Sequence, residues 1–371
     1  MSHYKLQRRM DIELQLSENL YPTDEVIGSL VQCQLTRKPL HECLYWLWEL
    51  LASTPNVAEG MTVIYRMFYA SSSSNLGRYV SRKIDVFMET GDKRSLADIV
   101  ANLRTSKYTG TAYLINRYGE RESASVIYRK QSWMNDYPDK SHQILGALKA
   151  RDLENIGWHC KIHTEHNGVD STKTIIKQYA NSLGVDVNDG IDSAYDTNDC
   201  LQISAMLARI FDHPPLQVRN RFVRTPIDMV NDMEIHFTRK STKYWRKLSE
   251  RRLYPTHSVM PPGNYGRHQV ESLQKASQLH WEYYCYESIL WKRRFDQYGA
   301  FRDNDKKEIA FPNDDCLENF YDDDNCMDFD EQPAEVQLMS LHEINIIEDP
   351  LIWLNLVKSA ELENSMETMT L

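Results

Sequence analysis

The sequence predicts a mostly α-helical protein, with antiparallel helix hairpins or a bundle arranged in two or three modules. Apolar residues recur every three and four positions over long stretches, which is the spacing of one helix face. Glycine is scarce, at 14 of 371 residues, and this disfavours folds with many tight hairpins. The apolar fraction of 42% and aromatic fraction of 11% suit a packed core. The sequence leaves open whether residues near 105–135 form a small β element.

An N-terminal helical module is predicted over residues 36–137, after a lead-in of mixed polarity over residues 1–35. It opens with the densest apolar helix of the chain, His41–Leu51, in which Trp46 and Trp48 are expected to anchor the core. Because short connections join amphipathic helices here, we expect antiparallel hairpins. Three further helices begin after hydroxyl or amide caps at Thr54, Asn75 and Ser95.

A middle helical module is predicted over residues 138–218. It contains three helical patterns, and a polar, aspartate-rich loop at 184–199 separates the second from the third. Two consecutive prolines, Pro214 and Pro215, end the third pattern, because proline cannot continue a helix.

The rest of the chain divides by charge and aromatic content. From Asp314 to Glu335 there are ten acidic residues and no lysine or arginine. We expect a basic connector over residues 219–266 and a long aromatic-rich helix region over residues 267–312. An acidic segment over residues 313–335 and a C-terminal apolar segment with a polar tail over residues 336–371 should follow.

The composition restricts the setting of the protein. No apolar run approaches the roughly 20 residues that a membrane span needs. The first eleven residues are polar and have no apolar signal core, so secretion is not expected. Seven scattered cysteines without a CxxC motif indicate reduced thiols in a cytosol-like compartment. A net charge of −10 does not by itself favour a dedicated nucleic-acid binder.

One short segment carries residue types that bind zinc. His159 and His163 are four positions apart, and His166 follows one turn later, so a helix would place them close to one face. With Cys160 they offer imidazole and thiolate ligands. The competing interpretation, which the sequence favours, is a helix end with ordinary histidines, because no second ligand pair lies at a fixed distance.

The basic connector is a candidate nucleic-acid surface. Over residues 219–254 ten basic residues stand against four acidic ones, a balance of +6. Cations neutralise phosphates and aromatic rings stack on bases. The favoured alternative is a solvated face whose charges pair with the acidic segment. The candidate nucleic-acid contacts are Arg239, Lys240, Lys243, Trp245, Arg246, Lys247, Arg251 and Arg252.

The aromatic-rich helix region is a candidate partner-binding surface, because tryptophan and tyrosine are enriched at protein interfaces. Its candidate contacts are Trp281, Tyr283, Tyr284 and Trp291. Motifs for a phosphate loop, a dinucleotide site, a zinc protease or a nucleophile elbow do not occur in the sequence. We therefore assign no catalytic residue and no cofactor.

Several segments resemble a family of proteins from nucleocytoplasmic large DNA viruses. These segments are His41–Leu50, His280–Ser288, Leu290–Phe295, Phe311–Asp315 and Asp330–Gln337, in the same order as in the family. The resemblance implies a viral protein located in the host cytoplasm or the virion. The family has no established activity, so the resemblance supplies no catalytic residues.

Together these observations predict a non-enzymatic viral protein that acts by protein–protein interaction, as a scaffold or virion-associated component with other viral proteins as partners. The alternative is a nucleic-acid-binding accessory protein in viral replication or transcription.

Overall fold

Segments with an apolar stripe form helices throughout the described part of the chain. The computed structural model describes residues 14–54, 56–71, 74–121, 123–138, 140–191, 198–214, 222–238, 254–261, 272, 279–323 and 344–369. Fifteen α-helices and four very short strands lie within these ranges. The predicted fold class, mostly α with a small β component, is confirmed.

The chain forms two compact units, and each unit combines separate parts of the sequence. Unit 1 contains residues 1–57, 226–349 and 360–371. Unit 2 contains residues 58–225 and 350–359. This division differs from the consecutive modules that the sequence suggested, because contacts between distant segments complete each core.

Unit 1 is built on two N-terminal helices, α1 and α2, that pack against each other. Its helices are α1 (Thr23–Leu35), α2 (Leu40–Ser53), α11 (Ile227–Thr238), α12 (Trp281–Cys285), α13 (Ile289–Gln297) and α14 (Asp314–Asp323). Trp46 and Trp48 are buried, as predicted for core anchors. A second apolar cluster forms around Trp281 and Trp291, whose rings meet edge to face at 4.9 Å.

Short strands complete unit 1. Strand β1 (Val259–Met260) pairs in parallel with β4 (Asn345–Ile346), and β2 (Phe301–Asp303) pairs antiparallel with β3 (Glu308–Ala310). The β elements therefore lie outside the 105–135 region that the sequence left open. The described residues of that region contain a helix and the 3₁₀ helix Ser132–Asp136.

Unit 2 is a helical assembly with an aliphatic core. Its helices are α3 (Val57–Tyr69), α4 (Ser74–Thr90), α5 (Lys93–Thr105), α6 (Thr111–Gly119), α7 (His142–Ala150), α8 (Leu153–Asn167), α9 (Val169–Ser182) and α10 (Asp199–Phe211). Helices α6 and α8 cross at Gly119 and Gly157, where a Cβ on Gly157 would lie 2.2 Å from the Ile115 carbonyl oxygen. Only glycine allows this backbone approach.

The last helix, α15 (Pro350–Met369), supplies residues 350–359 to unit 2 and residues from 360 onward to unit 1. Within unit 2, the buried Trp353 ring lies 5.2 Å from the Tyr113 ring and 6.0 Å from the Phe68 ring, measured between centroids. Leu354 packs against Gly110. Within the described ranges no helix is long and apolar enough to cross a membrane, in agreement with the sequence prediction.

Candidate metal centre and interaction face

Three metal-ligating side chains from distant parts of the sequence meet in unit 1. We call Cys33, Glu42 and His257 the thiol–imidazole cluster. The Cys33 Sγ lies 3.4 Å from the His257 Nε2 and 3.6 Å from the Glu42 Oε1. All three ligand atoms lie within 4.8 Å of one another, and within the described residues this is the one group of three or more such side chains.

Two members of the cluster are positioned by helices. Cys33 lies in the last turn of α1 and is fully buried, while Glu42 lies in the first turn of α2. Each of the two helices, α1 and α2, therefore presents one ligand near the connection between them. Glu42 and His257 are half-buried, so the cluster is reachable from solvent on one side.

The segment that carries His257 is fixed against α1 by hydrogen bonds. The His257 amide donates to the Ser29 Oγ at 3.2 Å, and the Gln32 side chain donates to the Val259 carbonyl. Ser29 and Gln32 lie on the same side of α1 as Cys33, within one turn of it. At Gly28 the Met260 side chain occupies the space of a Cβ, so glycine lets the segment approach the helix.

Burial keeps the thiol and the imidazole neutral. It raises the pKa of the Cys33 thiol well above its ordinary value, and the nearby Cys43 thiol and the Glu42 carboxylate raise it further. Burial, together with the positive charge of Lys38, lowers the pKa of His257 to about 4.

Two chemical roles are compatible with a thiol, an imidazole and a carboxylate in contact. A catalytic nucleophile needs an accessible cysteine with a depressed pKa. Cys33 does not meet the first requirement, since it is fully buried. Metal coordination requires ligand atoms that converge and a thiol that loses its proton when the ion binds, and the three ligand atoms of the cluster do converge.

The zinc ligands predicted from the sequence are placed differently, on α8 in unit 2. The His159 Nε2 lies 3.0 Å from the Val126 carbonyl oxygen, and the His163 Nδ1 lies 2.9 Å from the Thr172 hydroxyl. His166 is exposed and its Nδ1 bonds the Ile162 carbonyl, while Cys160 is buried in the aliphatic core. Within the described residues these four side chains do not form a metal-binding group.

The four aromatic residues predicted to bind a partner are buried in the structure instead. Trp281, Tyr283, Tyr284 and Trp291 have exposed fractions of only 0%, 3%, 3% and 0%. Their rings form the second apolar cluster of unit 1 instead of an external aromatic face. The Trp291 Nε1 donates to the Glu18 carbonyl at 2.9 Å, which satisfies its polar atom in the interior.

The predicted nucleic-acid contacts, Arg239 to Arg252, lie outside the described residues. So does the acidic segment after Asp323, apart from its earlier residues in α14. Both interpretations of these charges stay predictions.

An exposed apolar face lies on the first two turns of α15, in unit 2. We call Leu351, Ile352 and Leu356 the α15 face, and their exposed fractions are 44%, 55% and 46%. Trp353, Leu354 and Val357 occupy the buried side of the same turns. These first two turns are therefore apolar around most of their circumference, which is typical of a helix segment buried on both sides.

No family model, curated protein or solved structure matches the chain. The resemblance to a viral family accordingly stays a prediction.

Sequence reasoning missed the thiol–imidazole cluster. Cys33 and Glu42 are nine positions apart and fall on different helices, and His257 lies 224 residues beyond Cys33. No spacing motif links such positions. The one local signal was a pair of cysteines, Cys33 and Cys43, on either side of a proline-containing helix boundary.

Proposed function

We propose that the protein is a non-enzymatic binding protein that acts through protein–protein interaction, as a scaffold or virion-associated component of a large DNA virus. The observation that supports this proposal is the α15 face. The removal of apolar side chains from water is the dominant favourable contribution to most protein–protein association. Three large aliphatic side chains on adjacent turns therefore provide the centre of an interface.

The partner is another protein that presents an apolar groove. Ile352 and Leu356 are one helical turn apart, so they lie on the same side of α15. This is the spacing of anchors when an amphipathic helix binds in a groove. The exposed polar side chains of the same turns, Asn355 and Lys358, would form part of the rim.

Site-specific photo-crosslinking in cells that produce the chain tests the proposal. A crosslinker at position 352 or 356 is expected to capture one protein in stoichiometric amount, and a crosslinker at Lys358 is expected to capture less of it. The captured protein is then produced separately and its affinity is measured. Ile352→Glu and Leu356→Glu should each weaken binding by about 30-fold, which is the effect of losing an interface hot spot.

Lys358→Glu is the matched control, since it changes charge on the same helix without removing an apolar side chain. Equal losses for all three variants would contradict the proposal, and so would capture of a second copy of the chain instead of another protein. Presence of the protein at stoichiometric level in purified virus particles would support the virion setting, and absence from them would contradict it.

A further inference from the structure

We infer that the thiol–imidazole cluster of unit 1 is a zinc site, with Cys33, Glu42 and His257 as protein ligands. Nothing in the proposed binding function requires a metal, so this inference is independent of it.

The separation of the ligand atoms carries the inference. Zinc binds sulfur at about 2.3 Å and imidazole nitrogen at about 2.0 Å, so two such donors around a tetrahedral ion lie about 3.5 Å apart. The observed separations from the Cys33 Sγ are 3.4 Å to nitrogen and 3.6 Å to oxygen. Both values agree with two edges of such a tetrahedron, and the ligand atoms of Glu42 and His257 lie within 4.8 Å of each other.

The donor set selects the metal. A thiolate favours zinc, copper(I) or iron–sulfur chemistry, whereas magnesium and calcium take oxygen ligands. One sulfur, one nitrogen and one oxygen donor are a combination that zinc accepts in tetrahedral sites. On binding, the Cys33 Sγ–H bond is broken, the sulfur lone pair forms the bond to zinc and the proton leaves to solvent.

Four-coordinate zinc needs one donor beyond the three ligands. Cys43 follows Glu42 on α2, is buried, and its thiol interacts with that of Cys33. Its Sγ also lies 3.8 Å from the Lys38 carbonyl oxygen. Cys43 is not part of the group whose ligand atoms lie within 4.8 Å of one another, so a water molecule would complete the tetrahedron. The half-buried Glu42 and His257 leave an approach path for the ion.

The experiment uses the full-length protein purified without chelator. Elemental analysis is expected to find about one zinc per chain, and exchange for cobalt should give the sulfur-to-cobalt charge-transfer band and the intense visible bands of a tetrahedral site. His257→Gln and Cys33→Ser should each weaken zinc binding by more than the roughly 10–100-fold caused by loss of an outer hydrogen-bond partner.

Matched variants separate ligation from folding. Cys285→Ser removes another buried thiol of unit 1, and His280→Gln removes another partly buried imidazole there, so both should keep the metal. If circular dichroism shows that the Cys33→Ser variant is unfolded, His257→Gln becomes the test of ligation, because the His257 side chain is only half-buried. A folded wild-type protein that binds neither zinc nor cobalt would overturn the inference, as would rapid alkylation of Cys33 in the native protein, since a reactive thiolate indicates a nucleophile.

Discussion

Two regions of the molecule contain cysteine and histidine, and they use these residues in opposite ways. On α8 in unit 2, His159, Cys160 and His163 are close in sequence, yet each side chain is directed to a different neighbour. In unit 1, Cys33 and His257 are far apart in sequence, yet their ligand atoms are 3.4 Å apart. Tertiary convergence, and not sequence spacing, therefore defines the candidate metal centre.

The difference follows from how each region satisfies its buried polar atoms. In unit 2, several buried polar side chains pair with a hydroxyl, a carbonyl or an opposite charge within the same unit. The buried ion pair of Arg66 and Asp189, with a distance of 2.9 Å from Nε to Oδ2, is the clearest case. In the thiol–imidazole cluster, three potential metal ligands face one another.

The largest expected effect tests whether the polar interior of unit 2 is structural. Asp189→Ala removes a carboxylate that faces a buried guanidinium, and breaking such a pair typically costs about 3–5 kcal/mol. Chemical denaturation monitored by circular dichroism should show this loss in the free energy of unfolding. Asp170→Ala, at an exposed position in the first turn of α9, should cost less than about 1 kcal/mol. Equal effects would mean that the ion pair has no special structural role.

The second prediction locates the metal by hydrogen exchange. Zinc at 100 times its dissociation constant stabilises the folded state by about 2.7 kcal/mol. Amide protection should increase in α1 and α2 and stay unchanged in α8. Increased protection of α8 instead would place the metal among His159, Cys160, His163 and His166. The metal ligands would then be the residues that are close in sequence, and not those that meet only in the fold.

The third prediction concerns the packing that fixes α8. Gly157→Ala places a methyl group 2.2 Å from the Ile115 carbonyl oxygen, and overpacking of this kind costs about 1–3 kcal/mol. Gly60→Ala on α3 is the matched control, because no atom lies within 4 Å of its added Cβ. That variant should stabilise the protein by about 0.5–1 kcal/mol, since alanine is the better helix former. In thermal unfolding, the midpoint temperature should fall for Gly157→Ala and rise for Gly60→Ala.

The smallest expected effect is a pH dependence from His163. Burial lowers its pKa below 6.5, and the positive charges of Lys140 and His166 lower it further. The unfolded chain therefore binds more protons than the folded one as the pH falls through 6.5, and the free energy of unfolding decreases. Denaturation at pH 7, 6 and 5 should show a shallower decrease for His163→Gln than for the wild type. An equally steep decrease in the free energy of unfolding for both proteins would show that His163 is not its cause.

Local patterns predicted the helices well. The apolar stripe and the two tryptophans of His41–Leu51 indicated a buried helix, and α2 is one. Individual caps were predicted less well, since Asp92, and not the expected Ser95, accepts a hydrogen bond from the Arg94 amide at the start of α5. The apolar stripe depends on residues within one or two turns of each other, and so the sequence reports it directly.

Features that depend on distant segments were not predictable from local patterns. The aromatic residues Trp281 to Trp291 have the composition of an interface, but Leu14, Leu16 and Phe320 cover them in the fold. Composition cannot tell an internal contact from an external one. The thiol–imidazole cluster was missed for the same reason, since its members meet only after the segment before β1 packs against α1.

The long separation between α1 and the segment of His257 has a consequence for synthesis. About 220 residues must leave the ribosome after Cys33 before His257 is made, and at roughly 5–20 residues per second this takes about 10–45 s. During that time the nascent chain exposes apolar surfaces of α1 and α2 whose native neighbours do not yet exist. We therefore expect unit 1 to complete its folding only after residues 226–349 have been made.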